Sequence, residues 1–345
     1  MINPISTYRI QFNKDFTFKA LKSIIPYLHE LGIKTIYASP IYKAVPGSNH
    51  GYDVTDPNQI NPEIGTLEEL REISAMLKSK DMYWLQDIVP NHMGFHQDNA
   101  WLMDVLKNGE KSAYRRHFDL ITSDLEKEPL MVPFLGDDVE KVIDNGALEV
   151  IENYEGHYLK YFDSIWPIND KYKNPKNVDI KTLANSQYYR LCSHRETNTK
   201  INYRRFFTVN SLICLNIQLE QVFKDYHQLT KQLLDEGIFQ GLRIDHVDGL
   251  ADPAAYLQQL RALCGDDIYI VIEKILEPNE ELPKNWPIQG STGYDYLGLA
   301  NQLFTCTDAK RDFERTYETF VGKQDEVATQ ILEKKKYFLQ KHMQG

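Results

Sequence analysis

Cysteine is scarce in this chain, with only Cys192, Cys214, Cys264 and Cys306. None falls in a CxxC spacing, which excludes the common zinc and dithiol redox motifs, and a reducing compartment leaves all four as thiols. Long apolar runs are missing too: nothing approaches the roughly 20 residues of a membrane-spanning helix. Met1-Ile2-Asn3-Pro4-Ile5-Ser6 has neither the basic start nor the apolar core of an export signal, so a cytoplasmic location is expected. Positive charge is in deficit, 39 Lys and Arg against 49 Asp and Glu, a net charge of -10. Such a surface repels phosphate backbones and anionic lipid, so no nucleic-acid or membrane partner is expected and a neutral substrate fits better. There is no GxxxxGK[ST] phosphate loop and no GxSxG elbow. His92 and His96 stand four apart, but Met93-Gly94-Phe95 lacks the glutamate of a zinc-protease helix, so neither a metal nor another cofactor is expected. Nothing in the sequence points to a protein partner.

What is present is an ordinary globular composition, 42% hydrophobic and 26% charged, long enough for one large domain or two smaller ones. The 21 Tyr, 15 Phe and 4 Trp suit sugar faces as well as protein cores. Periodicity predicts a strand over 7–12, a helix over 18–31 stopped by Gly32, a second strand over 33–38, a capped helix over 66–80 and a third strand over 82–89. The intervening 39–65, rich in Pro, Gly and Asn, reads as a functional loop. Between 90 and 231 the alternation breaks into short polar and aromatic pieces, read as an inserted lobe. It resumes with a helix over 218–236, a strand over 237–245, a helix over 252–264 and a strand over 268–273. The fold class is α/β, a (β/α)8 TIM-type barrel that remains incomplete. Its first part is 1–89, the lobe 90–231, and the continuation 232–345, where 324–344 reads as one amphipathic, lysine-rich helix. Closure takes eight units and about 250 residues before insertions.

Two carboxylates, Asp245 and Glu273, each end an apolar run that reads as a buried strand, so both arrive at one rim of the barrel. Glycosidic cleavage needs such a pair, one to attack or stabilise the anomeric carbon and one to protonate the leaving oxygen. Arg243 sits two residues before Asp245 on the same face, and its charge is expected to keep Asp245 ionised. Glu273, after an apolar run, is expected to be held protonated. Asp87, Asn91 and His92 reach the same rim from the third strand.

These residues resemble the retaining α-amylase superfamily of glycoside hydrolases. Asp87-Ile88-Val89-Pro90-Asn91-His92, Gly241 to Asp245 and Ile270 to Glu273 look like three of its signature blocks. The resemblance implies that Asp245 is the nucleophile and Glu273 the acid/base. It also implies that Tyr52, Asp53 and His92 contact the sugar whose bond is broken. His50, in Pro46-Gly47-Ser48-Asn49-His50-Gly51-Tyr52-Asp53-Val54, and His246 and Lys274, each next to one of the two acids, complete the candidate contact set.

Ile201-Asn202-Tyr203-Arg204-Arg205-Phe206-Phe207 and Gly290-Ser291-Thr292-Gly293-Tyr294-Asp295-Tyr296 resemble more narrowly those members that rearrange maltooligosaccharides. The implied reaction moves the reducing-end α-1,4 linkage to an α,α-1,1 linkage by double displacement, with 90–231 as a candidate lid. Where typical members carry a Lys-His pair after the nucleophile, this chain has Asp248-Gly249. Tyr188 and His194 also depart from the family pattern, and the family's third catalytic aspartate has no counterpart. The natural gene is therefore expected to continue beyond Gly345, and the 345 residues alone to be inactive. The alternatives are an α-glucan hydrolase and a non-catalytic glucan-binding fragment.

Overall fold

The strands form where short apolar runs are cut off by Gly, Pro or a carboxylate, and three of the helices between them start at side chains that cap free amides. The computed structural model describes residues 1–277, 279–322 and 326–342. Its central sheet contains β1 (Thr7–Ile10), β2 (Thr35–Ala38), β3 (Tyr83–Ile88), β4 (Gly241–Ile244), β5 (Tyr269–Ile272) and β6 (Gly290–Ser291). All five pairings are parallel, and the spatial order equals the chain order. A parallel sheet that never reverses its strand order winds in one direction only, so it curls into part of a barrel.

Helix α1 (Phe18–Glu30) is capped by Thr17 and buries Phe18, Leu21, Ile25 and Leu28. At α2 (Leu67–Lys78) the expected capping box is present, with Thr66 and Glu69 each accepting the other's backbone amide. The expected helix over 218–236 is two helices, α3 (Glu220–Tyr226) and α4 (Gln228–Asp235), parted at His227. That ring is fully buried, 3.0 Å from the Tyr256 hydroxyl, and φ −98°, ψ 12° at His227 takes the chain out of the helix to place it there. Helix α5 (Pro253–Cys264) starts on an Asp252 cap with proline in its first turn, as expected. Strand β6 was not foreseen, because two residues carry no periodicity.

On the face of the sheet opposite Asp87 and Arg243 the rings of Phe12, Trp84 and Phe239 stack in a row, with centroids 6.0 and 6.4 Å apart. Trp84 Nε1 donates to Gln86 Oε1 at 3.0 Å, so a fully buried amide and indole satisfy each other. The segment between β3 and α3 lacks the strand and helix cadence, as its sequence suggests. It holds a three-stranded antiparallel sheet (Leu148–Asn153, Gly156–Tyr161, Ser164–Pro167), a parallel pair (Leu130–Leu135 with Tyr189–Ser193) and the pair His92–Gly94 with Leu212–Cys214. Its apolar side chains join the same core cluster as those of the sheet.

After β6 come α6 (Tyr294–Leu303), α7 (Lys310–Val321) and α8 (Val327–His342). The expected helix over 324–344 is thus seen from Val327 to His342, and its two predicted ends at 324–325 and 343–344 lie outside the described residues. Leu303, Phe304 and Phe320 on this arm are at least 84% exposed.

Candidate active site

Arg243 organises the rim at the C-terminal ends of β3, β4 and β5. Its Nη1 lies 2.9 Å from Asp87 Oδ1 and 2.6 Å from Asp245 Oδ1, while Nη2 lies 3.2 Å from Glu273 Oε1. One guanidinium therefore faces three carboxylates. Asp87 is fully buried and also accepts from the hydroxyls of Tyr37 (2.9 Å) and Tyr52 (2.7 Å). Arg9 reaches Tyr52 Oη at 3.3 Å and lies over the Tyr37 ring. Glu273 Oε2 accepts the His246 amide at 2.8 Å, and Oε1 accepts the Tyr294 hydroxyl at 3.2 Å.

These contacts reverse the protonation pattern expected from the sequence. Burial pushes the Asp245 carboxyl up to about 7, helped by the charges of Asp87 and Glu273 and opposed by Arg243. Burial also pushes Glu273 up, but Arg243, the His246 amide, Asp245 and Tyr294 together outweigh it and hold Glu273 below the usual carboxylate range. The reason is competition: Arg243 is shared with the more deeply buried Asp87, so it cannot compensate Asp245 alone. The two carboxyls are thus pushed in opposite directions, Asp245 up and Glu273 down, and they hydrogen-bond one another. His92 is pushed down to about 3 by burial and by the neighbouring His246, so its ring is neutral.

A cleft of about 590 Å³ opens over this cluster, walled by Tyr52, His92, Phe206, Asp245, Glu273 and Tyr294 among others. Of the residues singled out from the sequence, His50, Tyr52, His92, Arg243, Asp245 and Glu273 line it. Asp87 lies beneath it, bridging Arg243 and the two tyrosines. Three others are occupied elsewhere. Asp53 accepts from Ser48 Oγ at 2.5 Å, Asn91 accepts from Arg204 at 3.1 Å, and Lys274 pairs with Asp248 and Glu280 at 3.1 and 2.9 Å. His246 contributes its amide to Glu273 while its ring packs on Phe206 and Phe207, 4.7 and 5.1 Å away.

Arg9, Tyr37, Phe206, Leu212, Thr292 and Tyr294 line the cleft without having been assigned a role from the sequence. Arg9 and Tyr37 stand one residue before the ends of the first two strands, so asking what every strand end presents would have found them. Phe206 and Leu212 come from the inserted segment, which has no periodicity to orient them. Tyr188, at one departure from the family pattern, is a buried ring under the Lys171 ammonium, 4.7 Å from its centroid. Among the described residues no cluster of His, Cys, Asp and Glu could hold a metal ion.

A one-way parallel sheet with an arginine-linked carboxylate pair at its C-terminal rim defines a barrel-type fold whose candidate site is built for acid/base and nucleophilic work. More particularly, the chain belongs to the alpha-amylase family, whose catalytic-domain model matches residues 14–262. It is 40% identical over 302 residues to a putative maltooligosyl trehalose synthase of Mycobacterium tuberculosis, covering 85% of this chain and 37% of that protein. The solved DSM5389 glycosyltrehalose synthase superposes with a TM-score of 0.91 at 38% identity, over 99% of this chain and 47% of that one. Maltooligosyltrehalose synthase from Arthrobacter ramosus gives 0.91 at 33% identity, over 99% and 44%. The chain spans less than half the length of each of these relatives.

Proposed function

We propose that this chain carries the catalytic cleft of an intramolecular glucosyltransferase acting on maltooligosaccharides. Glu273 protonates the oxygen of the α-1,4 bond to the reducing-end glucose while Asp245 attacks the anomeric carbon, giving a covalent glycosyl-enzyme. The retained glucose then attacks through its own anomeric hydroxyl, Glu273 takes that proton, Asp245 departs, and an α,α-1,1 linkage results with configuration retained. Tyr52, His50 and His92 are the proposed sugar contacts, and the segment 90–231, through Phe206 and Leu212, is the proposed wall that keeps water from the intermediate. A neutral glucan as substrate and a cytoplasmic location complete the proposal, in keeping with the acidic composition.

The observation that carries this reading is the Arg243-linked pair Asp245 and Glu273 in a sugar-sized cleft, in a chain 40% identical to a putative maltooligosyl trehalose synthase. The test is carbon NMR of the anomeric region after the gene product, as encoded, is fed maltohexaose. Loss of reducing-end signals with growth of an α,α-1,1 signal is expected. A rise in reducing ends instead would support the hydrolase reading, which the match to a Bacillus cyclomaltodextrinase (35% identical over 102 residues) favours. Residues 1–345 alone are expected to turn over neither way.

A further inference from the structure

We infer that Arg204 is a positioning residue, which fixes the turn after β4 and through that turn's first amide sets the Glu273 carboxyl. The inference rests on Glu273 being the acid/base of the proposed reaction, and goes beyond it by naming what holds that group in place. Arg204 is in the inserted segment and distant in sequence from both acids, yet its guanidinium ties together four separate stretches. Nε donates to Asp119 Oδ2 at 2.6 Å, Nη1 to Asn91 Oδ1 at 3.1 Å and to the Gly249 carbonyl at 2.6 Å, and Nη2 to the Leu215 carbonyl at 3.3 Å. Its own backbone is held by the Asp119 carbonyl and the Cys214 amide, at 2.9 and 2.8 Å.

The grip on Gly249 closes a short turn. The Gly249 amide donates to the His246 carbonyl at 3.0 Å, and His246 has φ 48°, ψ 50°, a left-handed conformation that strains a non-glycine residue. Such a conformation persists only when its surroundings impose it. No side chain fits at 249, since a Cβ there would overlap His246 Cδ2 and stand 2.7 Å from Asn91 Oδ1. Arg204 thus holds both the Gly249 carbonyl and Asn91 Oδ1, the two sides of the narrow space that Gly249 leaves beside the His246 ring. With the turn so held, the His246 amide points at Glu273 Oε2, 2.8 Å away.

The groups facing Glu273 are Arg243 from β4 and Asp245 just after it, the His246 amide and ring, and the Tyr294 hydroxyl from α6, with Asp87 behind Arg243. Lys274 is turned to Asp248 and Glu280. Of these, the His246 amide is aimed by the turn that Arg204 holds, so removing the guanidinium loosens one hydrogen bond to the ionised carboxylate. That loss lets the Glu273 ionisation move up.

The test is a titration of the chain labelled with carboxyl-13C glutamate, the Glu273 signal being assigned with Glu273→Gln. This reads the carboxyl itself and needs no turnover, so a wrong assignment of the reaction leaves it intact. In Arg204→Gln the Glu273 midpoint is expected to rise by about one unit, the scale of one hydrogen bond to a charged group. Arg204→Lys, which keeps the charge but not the fork, is expected to rise nearly as far. If Arg204→Gln does not fold, Asp119→Asn, which loosens the same guanidinium, must move the midpoint in the same direction. An unchanged midpoint in a folded variant overturns the inference.

Discussion

Three carboxylates meet a single guanidinium at the rim, and the cost falls on Asp245. Its carboxyl sits near 7 in the folded protein against an ordinary value of 3.8. A carboxyl raised on folding favours the native state fully below its unfolded value and loses that contribution as pH climbs through its folded value. Asp245 therefore erodes stability between about pH 4 and pH 7. Asp245→Asn, which leaves Arg243 paired with Asp87 and Glu273, is expected to be more stable than the parent by ~1–3 kcal/mol at pH 8, with the difference gone at pH 4. Thermal unfolding at the two pH values checks this, and a difference independent of pH refutes it. The acids and Arg243 were readable because strand-end carboxylates follow apolar runs. Their protonation was not, because it depends on distances from Asp87 and on the His246 amide, which no spacing in the chain records. Asp53, Asn91 and Lys274 were legible as polar residues in the right blocks, but their partners Ser48, Arg204, Asp248 and Glu280 are set by loop geometry.

Among the elements, β3 was among the most legible and its packing can be tested most directly. Met82 to Val89 is a bounded apolar run, and its Trp84 is the middle ring of the stack with Phe12 and Phe239. Trp84→Ala leaves a large void and strands Gln86 Oε1 without its donor, so a loss of ~3–5 kcal/mol in equilibrium denaturation is expected. A loss below ~1 kcal/mol would show that the stack is loosely packed. The capped helices α2 and α5 were foreseen because their start signals are local. The break at His227 was missed because the helical pattern continues on both sides of it, and the ring's wish for the Tyr256 hydroxyl is a tertiary fact. Strand β6 exists only because β5 offers it a partner edge.

At the scale of the molecule, the stretch carrying α6, α7 and α8 exposes several large apolar side chains, with Phe304 at 90%, Phe313 at 75% and Phe320 at 84%. Monomers rarely leave contiguous apolar patches beyond a few hundred Å² uncovered. Residues 1–345 on their own are expected to associate with copies of themselves as concentration rises, and changing Phe304, Phe313 and Phe320 to Ser to abolish this without altering the circular dichroism. Sedimentation velocity decides it, and a monomer at all concentrations would refute the expectation.

Tyr294 holds Glu273 from the first turn of α6, directly after β6, and β6 is two residues long with a single hydrogen-bonded neighbour. Glu273, the proposed acid, is thus tethered beside the shortest plank of the sheet. Whatever steadies or unsettles that plank will be felt at the Glu273 carboxyl as a change of proton affinity, so an outer seam of the fold acts as a tuning peg for a charge in the cleft.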